Sequence, residues 1–221
     1  MRTLIGLLLI SALSFTLAQS TMGMVRVAHL SPNAPAVDIL INGKVAIHGL
    51  AFKQVTNYIA LPAGSYQVEV VPSGMMSPVV AKATLNVEAG SYLTVAAIGF
   101  LPDIHLKVYT DNIRPFPVAG QAFLRVIHAS PDAPAVDVRI AGGPTLIQDL
   151  SYPEATDYLA VNAGTYHLQV TLAGTDQVVL NLPDVTLDSG HVYTVFAIGS
   201  VKDQTLGVLV TTDAEVLGGT Q

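Results

Sequence analysis

Over much of the chain, apolar and polar side chains alternate with a period of two, the pattern of a strand with one face buried. Tyr66, Val68 and Val70 fall on one face while Gln67 and Glu69 fall on the other. Val25-Val27, Val37-Ile39-Ile41, Ile59-Leu61, Leu85-Val87, Tyr92 to Ile98 and Leu106-Val108 supply further strand candidates, punctuated by the turn pairs Asn42-Gly43, Ala63-Gly64, Ser73-Gly74 and Ala89-Gly90. No window sustains a helical period. About seven short strands in some ninety residues predict an all-β fold, an antiparallel two-sheet sandwich of immunoglobulin-like or fibronectin-like layout.

The pattern occurs twice. Val25-Arg26-Val27-Ala28-His29-Leu30-Ser31-Pro32-Asn33-Ala34-Pro35-Ala36-Val37-Asp38 returns as Leu124-Arg125-Val126-Ile127-His128-Ala129-Ser130-Pro131-Asp132-Ala133-Pro134-Ala135-Val136-Asp137. Asn57 to Tyr66 answers to Asp157 to Tyr166, and Ala96-Ala97-Ile98-Gly99 to Phe196-Ala197-Ile198-Gly199. A period of about one hundred residues is a domain length, so two tandem sandwiches are predicted over residues 22–112 and 121–214. A proline-stiffened linker over 113–120 joins them, and a short tail over 215–221 follows. The expected cores place Val27, Ile39, Tyr66, Val68 and Ile98 beside their counterparts Val126, Val138, Tyr166, Leu168 and Ile198.

The His-x-Ser-Pro-x-Ala-Pro-Ala-Val-Asp block, the later Tyr-x-x-x-x-Ala-Gly-x-Tyr and the closing Ala-x-Gly strand together resemble the bacterial domain-of-unknown-function 4397 family (DUF4397) over nearly the whole chain after the first twenty or so residues. That resemblance implies an exported or cell-envelope protein, often with the domain in tandem, and a β-sandwich at the cell surface. The family has no general assigned activity. The first copy departs from the commoner pattern by carrying Asn33 where the second has Asp132.

The first residues change the picture of where the protein works. Met1-Arg2 is weakly basic, Leu4 to Leu17 is an apolar run, and Thr16-Leu17-Ala18 offers small side chains to a signal peptidase, so residues 1–18 read as an export signal. A helix of about 14 residues spans only ~21 Å, short of the ~30 Å hydrocarbon core, which argues against a permanent anchor. The expected location is the envelope, the periplasm or the exterior. Of 221 residues, 51% are hydrophobic and 12% charged, which excludes a disordered chain. Ten basic against sixteen acidic residues, a net charge of −6, exclude an electrostatic nucleic-acid binder. The absence of cysteine removes disulfides, thiolate metal sites and cysteine nucleophiles together.

Candidate chemistry concentrates in the repeated block, at His29, Ser31, Pro32 and Asp38 and at His128, Ser130, Pro131 and Asp137. If the flanking strands pair as a hairpin, each His faces its Asp across the neck. In the structural reading the imidazole N–H then bonds the carboxylate or a loop carbonyl and pins the Ser-Pro turn. In the functional reading His29 and His128, with His48, ligate copper through nitrogen, as in a copper-only superoxide dismutase-like redox enzyme. His48, His105, His167 and His191 have no partner in the other copy. Met75-Met76 is an apolar pair where the second copy has Thr175-Asp176, expected to pack on the sister domain or on a partner. No hydrolase, zinc-protease, P-loop or dinucleotide motif occurs. The expectation is therefore a non-catalytic module without a cofactor, which binds an envelope or surface protein or a second copy of itself. Amino-terminal sequencing of the native protein is expected to begin near Gln19; a retained Met1 on a cytoplasmic protein refutes the export reading.

Overall fold

Where the alternation predicts strands, strands form. The computed structural model describes residues 21–113 and 119–215; the expected export signal, the centre of the linker and the tail beyond residue 215 lie outside the described residues. The first domain contains β1 (Met22–His29), β2 (Val37–Ile41), β3 (Lys44–Leu50), β4 (Ile59–Pro62), β5 (Gly64–Pro72), β6 (Ala81–Val87), β7 (Tyr92–Ile98) and β8 (His105–Thr110). The second contains β9 (Gln121–His128), β10 (Val136–Ile140), β11 (Thr145–Leu150), β12 (Leu159–Asn162), β13 (Gly164–Leu172), β14 (Val178–Leu187), β15 (His191–Ile198) and β16 (Gly207–Glu215). No helix forms among the described residues.

Each domain is a sandwich of two four-stranded sheets, β4-β1-β7-β8 on β3-β2-β5-β6 and β12-β9-β15-β16 on β11-β10-β13-β14. Neighbouring strands are antiparallel except for one parallel pair in each domain, β1 with β7 and β9 with β15. β3 is an addition to the strands read from the sequence. Lys44–Leu50 is mostly exposed, with Leu50 its one buried side chain, so it carries little of the buried-face signal. What places β3 is the Asn42-Gly43 turn, whose φ angles of 50° and 75° suit the tight hairpin that joins β2 to β3.

Val25, Val27, Val37, Ile39, Val68, Val70, Leu85 and Val95 meet between the sheets of the first domain. Leu124, Val126, Val136, Val138, Val170 and Val195 do so in the second. Tyr66 and Tyr166 lie partly buried against these cores, and each hydroxyl donates to a carbonyl four residues upstream, Pro62 at 2.8 Å and Asn162 at 2.6 Å. Ile98 and Ile198 are buried, but not there. They belong to a third cluster with Ala28, Leu30, Ala96, Ile127, Ala129 and Phe196, which joins the outer face of one β1-β7 sheet to that of its counterpart in the sister domain. The central strands of these sheets, β1 with β7 and β9 with β15, are thus buried on both faces over most of their length.

At the centre of this interface the domains exchange charged partners. Arg26 Nε donates to Thr94 at 2.8 Å within its own domain, while Nη1 reaches Asp213 of the sister domain at 2.6 Å. Arg125 repeats the arrangement: Nε donates to Thr194 at 2.8 Å, and Nη2 pairs with Asp111 of the first domain. Tyr58 donates to Asp111 and Tyr158 to Asp213, each at 2.6 Å, and each guanidinium lies 4.8 Å from the ring centroid of its own domain's tyrosine. Burial works to lower the Arg26 pKa, but Asp213, Tyr58 and Asp111 outweigh it and hold the pKa raised. Both arginines are 2% exposed. Truncating one strands a buried carboxylate, so Arg125→Ala is expected to cost about 3 to 5 kcal/mol in urea unfolding. Val68→Ala, which only empties core volume, is expected to cost about 1 to 3 kcal/mol.

Candidate functional site

The repeated His-Ser-Pro block forms an arch. β1 and β2 belong to different sheets, so the segment between them crosses the sandwich and is not a hairpin loop. That corrects the expected pairing of His29 with Asp38 and of His128 with Asp137 across a hairpin neck. His29 points Nε2 at the Pro35 carbonyl at 2.9 Å, and His128 points Nε2 at Pro134 at 3.1 Å. A carbonyl only accepts, so Nε2 carries the proton in both rings. Each ring meets an aromatic edge, His29 against Phe52 and His128 against Tyr152, with centroids 6.3 Å apart in both cases. The serine beside the proline closes the same end: Ser31 Oγ donates to Gly99 at 2.6 Å and Ser130 Oγ to Gly199 at 2.9 Å. Gly199 has φ +97°, and a Cβ there would lie 2.2 Å from the Thr205 carbonyl oxygen, so both its conformation and the space around it call for glycine.

The aspartates act on other loops. Asp38 accepts from Gly49 N at 2.7 Å, Gly74 N at 3.0 Å and Ser73 Oγ at 2.9 Å, tying the β3 and β5 ends together. Those backbone N–H groups, with the Ser73 hydroxyl and nearby His48, pull its pKa down to about 2. Asp137 repeats the role with Asp149 N at 2.8 Å and Gly174 N at 2.9 Å. Asn33 and Asp132 differ in kind. The Asn33 side chain accepts from Leu101 N and donates to its carbonyl, whereas Asp132 accepts from Val201 N, Lys202 N and Ser200 Oγ at 2.9 to 3.0 Å. Burial works to raise the Asp132 pKa, but these donors outweigh it and leave the pKa lowered.

The structure does not bring together the histidines of the alternative copper reading. His48 sits with its side chain 77% exposed, 3.6 Å from Asp38, while His29 and His128 are 0% and 1% exposed inside their own arches. Among the described residues no group of three or more His, Asp and Glu side chains is placed to hold a metal. Met75 and Met76 do not pack on the sister domain; they are 53% and 61% exposed. Reading the sequence missed Arg26, Arg125, Asp111 and Asp213 as the charged centre of the molecule. The signal was present: an arginine flanked by valines or leucines at the same place in both copies, and an aspartate closing the last strand region of each.

Burial of His29 and His128 lowers their pKa values, and the Pro35 and Pro134 carbonyls offset this only in part. The unfolded chain therefore takes up protons that the folded chain refuses below about pH 6.5. Stability is expected to be full above that pH and to fall as pH drops toward the lowered folded values. Asp38 acts in a lower window, between its ordinary value and about 2. A urea-stability profile of the His29→Gln, His128→Gln variant is expected to lose the slope just below pH 6.5. An unchanged slope refutes the assignment to these rings.

The model of a domain of unknown function, DUF4397, matches residues 23–139 and again residues 122–220. No curated protein matches the chain. Among solved structures, the Bacillus anthracis TIE protein aligns with 81% of this chain at 11% identity and TM-score 0.27, and the chain spans only 34% of that protein's length. A protein of Bacteroides fragilis NCTC 9343, named as a candidate cell adhesion protein, aligns over 89% of this chain and 100% of its own at 8% identity and TM-score 0.20. Likenesses this remote carry no functional argument. The repeated arch, the duplicated sandwich and a family match spanning both copies lead to one statement: this chain belongs to the DUF4397 family.

Proposed function

We propose that this chain is a non-catalytic module, exported to the cell envelope or beyond, that binds a protein or surface partner through an apolar tip on its first domain. The observation that carries the reading is the loop between β5 and β6. Met75, Met76 and Val79 are 53%, 61% and 43% exposed within a few residues of one another. The base of this loop is held in place: Gly74 N and Ser73 Oγ bond Asp38, and Met75 N bonds the Pro72 carbonyl at 3.0 Å. The pinned base spares a partner the cost of ordering the loop backbone, and methionine side chains adapt to the surface that covers them.

The corresponding loop of the second domain is polar. Thr175 bonds back to Leu172, and Asp176 pairs with Arg139 at 2.5 Å. One tip per chain suits a single directed contact with an envelope protein, a surface component or another copy of the chain. Enzymatic readings lack support of this kind, since the histidines and aspartates of the repeated block are engaged in holding loops.

Sedimentation of the purified chain with envelopes isolated from its source cells tests the proposal. Met75→Ser, Met76→Ser is expected to weaken co-sedimentation by at least about tenfold. The same substitutions should leave the far-ultraviolet circular dichroism unchanged, because both side chains are exposed. Undiminished binding removes the tip from the proposal, and turnover of a substrate by the pure protein overturns the module reading.

A further inference from the structure

The two faces that join the domains carry the same charges at matching places. Arg26 and Asp111 lie on the first face, Arg125 and Asp213 on the second, and each arginine pairs with the aspartate of the opposite face. The hydroxyls around them are duplicated too, Thr94 and Tyr58 on one side and Thr194 and Tyr158 on the other. A face that carries both members of an exchanged pair is complementary in charge to a copy of itself, as in a twofold dimer. Charge alone therefore permits first domain with first, second with second, and first with second.

The apolar side chains are more selective. Ala28 and Ala96, paired on β1 and β7, answer to Ile127 and Phe196, paired on β9 and β15. Elsewhere on the face the sizes run the other way: Leu30 answers to Ala129, and Val55, bridged to Ala28, answers to Ala155, bridged to Ile127. Tyr109 and Thr211 also correspond, since each lies opposite the threonine of its neighbouring strand, Thr94 or Thr194. The Tyr109 hydroxyl crosses the interface to donate to the Pro153 carbonyl at 2.8 Å, whereas the shorter Thr211 accepts from Arg26 Nη1 at 3.2 Å. Ala28, Leu30, Ala96, Ile127, Ala129 and Phe196 are all 0% exposed, so the two unlike faces fill the space between them. Replacing the second face by a copy of the first would open gaps where Ile127 and Phe196 stand and crowd the places of Ala129, Ala155 and Thr211. Replacing the first by a copy of the second would do the reverse. Both gaps and overlap are costly in a close-packed interior.

We propose that this face is a recognition surface for a second copy of the chain, in which the first domain of one copy pairs with the second domain of the other. The charges set the register, and the sizes of the apolar side chains refuse first with first and second with second. None of the contacts that make the face needs its two domains to belong to one chain, so an exchanged pair keeps all of them. The short linker favours the partner within the chain by effective concentration, and the second copy competes as the chain becomes concentrated.

Two variants of the full chain test this: Arg26→Asp, Asp111→Arg on the first face and Arg125→Asp, Asp213→Arg on the second. In either one the domains of a single chain meet with like charges opposed, whereas like-with-like pairing of two copies keeps opposite charges matched. Mixed one to one, the first domain of each variant matches the second domain of the other. By sedimentation velocity each variant alone is expected to stay monomeric, and the mixture to hold at least about tenfold more dimer, the discrimination that misfitted packing supplies. Threonine and tyrosine hydroxyls both donate and accept, so they serve a reversed charge as they serve the native one. If a variant still misfolds alone, mixing is expected to restore its strand circular dichroism. A mixture without dimer, or without that recovery, overturns the proposal. A variant that alone forms dimer to within tenfold of the mixture overturns it as well, since charge then suffices and size selects nothing.

Discussion

The exchanged pairs of Arg26 with Asp213 and Arg125 with Asp111 are the constraint on which the arrangement of this molecule depends. A buried ion pair rarely adds net stability over an apolar pair of equal volume, because each charge must first leave water. What it does is penalise every alternative. If the domains slide or rotate, two guanidinium groups and two carboxylates lose partners at a depth where water does not replace them. Threonine and tyrosine hydroxyls complete the set: Thr94 and Tyr58 serve Asp111, as Thr194 and Tyr158 serve Asp213. The surrounding apolar cluster supplies adhesion, and the charged centre supplies register.

This interface explains why the tandem copies pack together and why the differences between them sit where they do. The faces of β1, β7, β9 and β15 that carry Ala28, Ala96, Ile127 and Phe196 are consumed by the sister domain. What remains free to differ is the loop ends of each sandwich. There, two changes between otherwise parallel copies produce two different surfaces. Met75-Met76 against Thr175-Asp176 makes one tip apolar and the other polar, and the loop bonded by Asn33 spans 99–104 while the loop bonded by Asp132 spans 199–206.

The residues that first suggest chemistry turn out to hold the frame in both domains. His29 and His128 donate to a carbonyl six residues ahead, Ser31 and Ser130 tie the arch to the end of β7 or β15, and Asp38 and Asp137 gather loop N–H groups. A histidine nine residues before an aspartate reads equally well as a dyad or as two independent anchors. Only knowing that β1 and β2 lie in different sheets separates the two readings, because a chain that crosses the sandwich carries the two side chains to different neighbours.

The alternation of Tyr66, Val68 and Val70 against Gln67 and Glu69, the Asn42-Gly43 turn and the hundred-residue repeat were enough by themselves to determine an all-β chain of two like sandwiches, since period, turn chemistry and duplication are local properties of a string. The lightly patterned β3 escaped that reading because a strand exposed on most of its length buries too little to show a period. Ile98 was legible as buried, but not as facing the sister domain, because a period of two assigns a residue to a face without saying what covers it. The exchange of Arg26 and Arg125 between domains, and the burial of Ile98 against the sister domain, were decided by the tertiary structure alone. Both depend on contacts between residues far apart in the chain, and no local pattern encodes the distance at which two folded surfaces come to rest.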